Sequence, residues 1–205
     1  TGRIVPRFIA EAKYVSGINI RCTYNPEFKE KYAFENRHDL PNYSDSYGEF
    51  LEQVDAVYIA SPNETHYEYA KKALESGKNV LCEKPVGFTR AEAEQLYSYA
   101  RKNNRVLMEA VKTAYCPGFG QLLNVAKSGK IGEIRDVEAC FTRLANKESR
   151  ERTDASYGGS FLEFSSYTLL PAIKLLGNDY KSVHFDILYD ETGVDVYTKV
   201  SLKYD

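Results

Sequence analysis

Val80-Leu81-Cys82-Glu83-Lys84-Pro85 puts a carboxylate and an ammonium at the end of a short apolar run. A run bounded by Lys78-Asn79 and Pro85 predicts a buried strand, and a charged pair where such a strand stops belongs at the rim of its sheet. Open α/β sheets keep their chemistry there. An ammonium so placed can hydrogen-bond a reacting oxygen or exchange a proton with it. A lone Glu-Lys-Pro triplet also reads as a solvated loop, so the surrounding elements decide between the two readings.

Those elements alternate. Ile4, Phe8, Ile9 and Ala12 recur at helical spacing, and Pro6 suits a first turn. Ile18 to Tyr24 predicts a second strand that ends at Asn25-Pro26, with Glu27 as a helix-start residue. Tyr43 to Leu51 offers capping side chains before a short amphipathic helix. Val54 to Ala60 is an apolar strand ending in Ser61-Pro62-Asn63. A helix then begins at Asn63-Glu64-Thr65-His66, carries Tyr67, Ala70, Ala73 and Leu74 on one face, and stops at Gly77. Thr89-Arg90-Ala91-Glu92 is a capping box for a helix presenting Ala93, Leu96, Tyr97 and Ala100, and Val106 to Ala110 is the next strand. Strand and helix patterns in alternation argue for parallel βαβ units.

Beyond residue 115 the rhythm changes. Phe119, Leu122, Leu123 and Ala126 mark a helix closed by Gly129, and Glu133 to Arg143 predicts a strand. A helix is expected from about Tyr167 to Leu176, with Pro171 near its first turn. Val183, Phe185 and Ile187, like Val194, Val196, Val200, Leu202 and Tyr204, alternate with polar residues. That pattern fits an antiparallel sheet with one face buried. The expected organisation is α/β: a Rossmann-type parallel-sheet domain over 1–115 without its first strand, then an incomplete α+β domain over 116–205 with a mostly antiparallel sheet.

The composition is that of an ordinary water-facing chain, with a net charge of -2 over 205 residues. Lys and Arg are interspersed with Asp and Glu, which leaves no basic footprint for nucleic acid. No apolar stretch reaches the roughly 20 residues a membrane span needs, and no signal-like segment opens the chain, so the cytoplasm is the expected location. Cys22, Cys82, Cys116 and Cys140 lack disulfide or zinc spacing and read as small core residues; no cluster suits a metal. Tyr67, Tyr97 and Tyr204 fall on periodic faces and read as core, and His38 and His184 as surface. The chain opens without Met and stops inside a strand pattern. It is expected to be an interior piece of a longer protein, with weak or no activity in isolation.

In order and spacing, Ala60-Ser61-Pro62-Asn63-Glu64-Thr65-His66, Gly77 to Pro85 and Gly129-Lys130-Ile131-Gly132-Glu133-Ile134 resemble the glucose-fructose oxidoreductase and inositol dehydrogenase family, Gfo/Idh/MocA. The resemblance implies a Rossmann domain carrying NAD or NADP, followed by a sheet domain that covers the nicotinamide, and an activity on a secondary hydroxyl of a sugar, inositol or cyclic diol. It places the cofactor against Gly2, Arg3, Ile4, Asn25, Ser61, Pro62, Asn63, His66, Glu83 and Lys84. Gly2 and Val5 would occupy the later positions of the dinucleotide fingerprint. For His66 a half-buried cap is an equal alternative. The resemblance also implies a cis peptide before Pro85 and an oligomer formed through the open face of the second sheet.

The family's catalytic lysine is Lys84 here, and its second proton-handling residue falls at Tyr167, within Gly158-Gly159-Ser160-Phe161-Leu162-Glu163-Phe164-Ser165-Ser166-Tyr167. The tyrosine variant looks like the dihydrodiol dehydrogenase and glucose-fructose oxidoreductase branches. Glu163 stands where relatives carry Asp, and Lys112 stands in for an Arg and a His that relatives carry near Ala114 and Cys116; both are expected at the substrate. A phenol with a pKa of about 10 is a poor base at neutral pH, and a nearby ammonium lowers that value. The residues therefore read as Tyr167 exchanging the proton and Lys84 assisting, with the reverse assignment open. The reading from another class is a non-catalytic nucleotide-binding regulator with the same fold.

Overall fold

The computed structural model describes residues 4–26, 38 and 40–205, and Gly2, Arg3 and Glu27 lie outside them. Two compact units divide the chain, Thr1–Ala110 and Val111–Asp205.

In the first unit, helix α1 (Val5–Ala12) opens with proline in its first turn and buries Ile9 and Ala12. Strands β1 (Thr23–Tyr24) and β2 (Tyr43–Ser44) pair in parallel. The second strand is thus shorter than the Ile18 to Tyr24 expected. A strand extends only as far as its partner, and β2 gives way after Ser44 to Ser46, which caps α2 (Tyr47–Glu52). The Tyr43-Ser44 pair, read as part of a cap, is that partner. Strands β3 (Ala56–Ile59), β4 (Asn79–Cys82) and β5 (Leu107–Glu109) form a parallel three-stranded sheet in which Ile59, Cys82 and Glu109 lie side by side. Helices α3 (His66–Glu75) and α4 (Arg90–Lys102) make the crossovers.

Both crossovers follow the local chemistry of their ends. The Thr89–Glu92 capping box is formed, with each side chain bonded to the other residue's backbone N–H. Gly77, at φ +71, lets the chain leave α3 for β4. Ala70, Ala73, Leu74, Val80, Cys82 and Leu96 fill the core at 2% exposure or less. Tyr97, expected there, is 38% exposed because it lies outside the stripe that Leu96 and Ala100 turn inward. A second cluster joins Tyr24, Tyr47, Phe50 and Tyr69, with Tyr47 donating to the Tyr69 carbonyl at 2.9 Å. Burial there raises the pKa of the Tyr24 and Tyr47 phenols well above the ordinary value, as it does that of the Cys82 thiol.

In the second unit, α5 (Pro117–Lys127), the short α6 (Arg150–Thr153) and α7 (Ser160–Leu176) accompany an antiparallel hairpin of β6 (Ser182–Tyr189) and β7 (Asp195–Lys203). Phe161 of α7 meets Phe185 of β6 edge-on, 5.6 Å between centroids. The alternating face therefore does turn toward a helix. It is only partly covered, since Val183, Phe185 and Ile187 remain 37–45% exposed. Glu133 to Arg143, expected as a strand, pairs with no ladder among the described residues, and most of its residues are exposed. Cys116 and Cys140 are exposed, unlike the buried Cys22 and Cys82, because they lie in this uncovered stretch and at the mouth of α5.

Helix α7 begins seven residues before the expected Tyr167, so Pro171 is in its interior rather than its first turn. Its start is fixed from outside. Asp195 Oδ2 accepts from the Phe161 N–H at 2.7 Å and from the Thr198 hydroxyl at 2.7 Å, putting a carboxylate on the positive end of the helix. Gly159 turns at φ +97 against that carboxylate, where a Cβ would lie 1.9 Å from Asp195 Oδ1. Gly159→Ala is expected to destabilise the protein by about 2–4 kcal/mol, combining left-handed strain with loss of the cap. Urea unfolding checks this; a loss under about 0.5 kcal/mol, the scale of ordinary surface substitutions, would show that Asp195 moves aside at no cost.

Candidate active site

The carboxyl edge of the β3–β4–β5 sheet carries Ser61, Pro62, Asn63, His66, Glu83 and Lys84 of the residues singled out in the sequence. Glu83 continues β4 by donating its N–H to the Ile59 carbonyl at 2.8 Å, and the Ala110 N–H does the same to Cys82 at 2.7 Å. The rim is thus formed by three strand ends held in register. The Lys84–Pro85 peptide is cis.

The residues around Lys84 are tied to four other elements. The Tyr58 hydroxyl of β3 donates to Glu83 Oε1 at 2.7 Å, and the Tyr58 ring lies against Phe8 of α1, 4.1 Å between centroids. His66 Nδ1 is 2.8 Å from the Pro85 carbonyl and its Nε2 is 3.0 Å from that of Ser61. The Val86 N–H donates to Glu109 Oε1 at 3.0 Å. Glu92 Oε2 accepts from Phe88 at 2.7 Å and from Thr89 at 3.1 Å. Lys84 itself is half-buried.

The turn after β3 is equally defined. A 3-10 turn over Asn63–Thr65 buries Asn63, and Thr65 Oγ1 lies 2.6 Å from Ser61 Oγ and 2.7 Å from the Pro62 carbonyl. His66, at 1% exposure, is buried more deeply than a half-buried cap. Both its nitrogens face carbonyls, so it joins the turn after β3 to the loop after β4. A neutral ring can donate to only one of those carbonyls, whereas a ring carrying both protons donates to both. Pro62 is exposed. Ile4 caps α1 at 40% exposure, and Asn25 follows β1, its carbonyl accepting from the Tyr43 hydroxyl.

In the second unit, Glu163 and Tyr167 share a face of α7 by their four-residue spacing. Glu163 is 9% exposed, with the Arg150 guanidinium 3.9 Å away. Phe141, from the extended segment, stacks on Phe164 at 4.7 Å and on Tyr167 at 5.5 Å. Lys112 is exposed on a 3-10 turn over Lys112–Tyr115. Among the described residues no group of three or more His, Cys, Asp or Glu could hold a metal, and no helix is long and apolar enough to cross a membrane.

Tyr58, Glu109, Arg150 and Asp195 were missed in the sequence. Glu109 carried a signal, since it ends an apolar strand as Glu83 does. Asp195 carried none: its role as a cap depends on β7 reaching the start of α7.

This arrangement has known counterparts. Residues 1–111 match the oxidoreductase family with an NAD-binding Rossmann fold, GFO_IDH_MocA. The chain is 30% identical to scyllo-inositol 2-dehydrogenase (NADP(+)) IolU of Bacillus subtilis over its whole length and spans 65% of that enzyme. It is 32% identical to trans-1,2-dihydrobenzene-1,2-diol dehydrogenase of Sus scrofa, over 83% of the chain and 52% of that protein. KijD10, a 3-ketoreductase from Actinomadura kijaniata solved with NADP and TDP-benzene, superposes with a TM-score of 0.79 at 26% identity, over 98% of this chain and 67% of the other. The chain thus spans less than two thirds of the curated relatives it matches. Its parallel sheet, its Glu-Lys-Pro rim and these matches together place it in the NAD-binding Gfo/Idh/MocA oxidoreductase family.

Proposed function

We propose that the protein is an NAD(P)-dependent oxidoreductase acting on a secondary hydroxyl, or the corresponding ketone, of a sugar, inositol or cyclic diol. The observation that carries this reading is a lysine at the carboxyl edge of a parallel sheet, in a loop whose Glu83, Pro85, Val86 and Phe88 bond to four neighbouring elements. A solvated loop would need no such holding. Three relatives support the substrate class, since their names describe an inositol, a dihydrodiol and a keto group as what they act on.

The donors present fit a dinucleotide. Ser61, Asn63 and Lys84 bring a hydroxyl, an amide and an ammonium to the rim, where ribose and carboxamide oxygens need donors. Glu83, fixed by Tyr58, keeps the ammonium beside a carboxylate in sequence. When bound, NAD or NADP supplies the hydride acceptor or donor. Lys84 hydrogen-bonds the substrate oxygen and favours its ionised form, Tyr167 exchanges the proton, and Glu163 and Lys112 orient the remaining hydroxyls. Pro62, Ile4, Asn25, Gly2 and Arg3 complete the nucleotide site, with His66 contributing through the loops it joins. Cytoplasmic residence completes the reading, with a homo-oligomer on the family resemblance.

The test is nicotinamide absorbance and fluorescence of the full-length protein with NAD and NADP over a panel of inositols, hexoses and cyclic diols. Turnover of at least one is expected. Nucleotide binding without turnover across the panel would instead make the protein a regulator.

A further inference from the structure

One peptide group next to Lys84 is gripped at both of its polar ends. The carbonyl of the Pro85–Val86 peptide faces His66 Nδ1 at 2.8 Å, and its N–H donates to Glu109 Oε1 at 3.0 Å. His66 comes from the first turn of α3 and Glu109 from the last residue of β5. The grip therefore reaches from a helix on one side to a neighbouring strand on the other. A peptide group is planar, so bonds on its two opposite edges hold the orientation of the whole plane. His66 Nε2, 3.0 Å from the Ser61 carbonyl, ties the same grip to the turn after β3.

We propose that Glu109 and His66 are positioning residues for Lys84, with Glu109 acting as a hydrogen-bond acceptor for the Val86 N–H rather than as a charge. Val86 is 6% exposed, so its N–H has no ready exchange of Glu109 for water. Without the acceptor the Pro85–Val86 plane is held at its carbonyl end alone and can tilt about it, and the ammonium one residue before it shifts. A misplacement of about 1 Å costs as much as 100-fold in rate. This assignment rests on the reading of Lys84 as a catalytic residue.

The experiment uses the full-length protein and the substrate turned over best. Glu109→Ala is expected to lower kcat by about 10–100-fold with little change in nucleotide Kd, and to speed hydrogen exchange at the Val86 amide. Glu109→Gln, whose amide oxygen still accepts from Val86, is expected to restore both turnover and protection. His66→Ala is expected to resemble Glu109→Ala in kcat. Glu109→Gln as slow as Glu109→Ala overturns the assignment, because charge would then matter and not the acceptor. Parent-like kcat in Glu109→Ala overturns it as well. Should Glu109→Ala fail to fold, Glu109→Gln and the parent's Val86 exchange decide, and an unprotected Val86 amide in the parent counts against the grip. A parent that turns over no substrate overturns the oxidoreductase reading and the catalytic purpose of the grip together. The Val86 exchange rate would still report whether the grip exists.

Discussion

Replacing Lys84 by Met in the full-length protein is expected to slow hydride transfer by at least about 100-fold, the usual contribution of a positioned acid/base group. The substitution keeps an unbranched stem and removes the ammonium alone. The backbone around it is held by bonds that do not use that ammonium: Glu83 is fixed by Ile59 and Tyr58, Pro85 faces His66, and Val86 bonds to Glu109. A folded variant that still binds the nucleotide, more weakly by the loss of one donor, and has lost turnover is therefore the expected outcome. Stopped-flow nicotinamide absorbance measures it. Turnover within a few-fold of the parent would leave Lys84 a mere solvating residue at the end of β4.

The second large effect is expected at Tyr167. Tyr167→Phe removes one oxygen and keeps the ring that stacks on Phe141, and α7 stays anchored by Asp195 at its start. Hydride transfer falls by at least about 100-fold if the phenol exchanges the proton. The two variants also separate the alternatives left open by the residue types. A loss confined to Lys84→Met assigns proton exchange to the lysine, whereas comparable losses in both assign it to a shared arrangement. Parent-like rates in Tyr167→Phe would remove the tyrosine from the chemistry.

How much of this was legible before any coordinates differs between the two units. In the first, local signals coincide with the structure: the capping box at Thr89, the stop at Gly77 and the apolar runs ending at Ile59 and Cys82 each act over a few residues, so sequence spacing captures them. The rim position of Lys84 followed from the same signals. The contacts that hold it did not, because Tyr58, His66, Glu92 and Glu109 reach the loop from four other elements. Only the folded chain brings those together.

In the second unit the helix over Phe119 to Ala126 and the antiparallel hairpin were legible, but two local signals misled. Glu133 to Arg143 has the alternation of a strand, but alternation cannot supply a partner, and the hairpin of β6 and β7 satisfies its own ladder. Pro171 argued for a helix start near Tyr167. The start lies seven residues earlier because Gly159 and Asp195, 36 positions apart, fix it from outside the helix. Long-range capping of this kind leaves no periodic trace. The shared face of Glu163 and Tyr167 survived the error, since four-residue spacing holds wherever the helix begins.

The central claim is that one alcohol oxygen is served by both the lysine at the sheet rim and the tyrosine of α7. A crystal structure of the full-length protein with NADP and a polyol it turns over measures this directly. The account predicts Lys84 Nζ and the Tyr167 hydroxyl both within about 3 Å of the same carbinol oxygen. A substrate bound beside the nicotinamide with either group out of reach of that oxygen would contradict it.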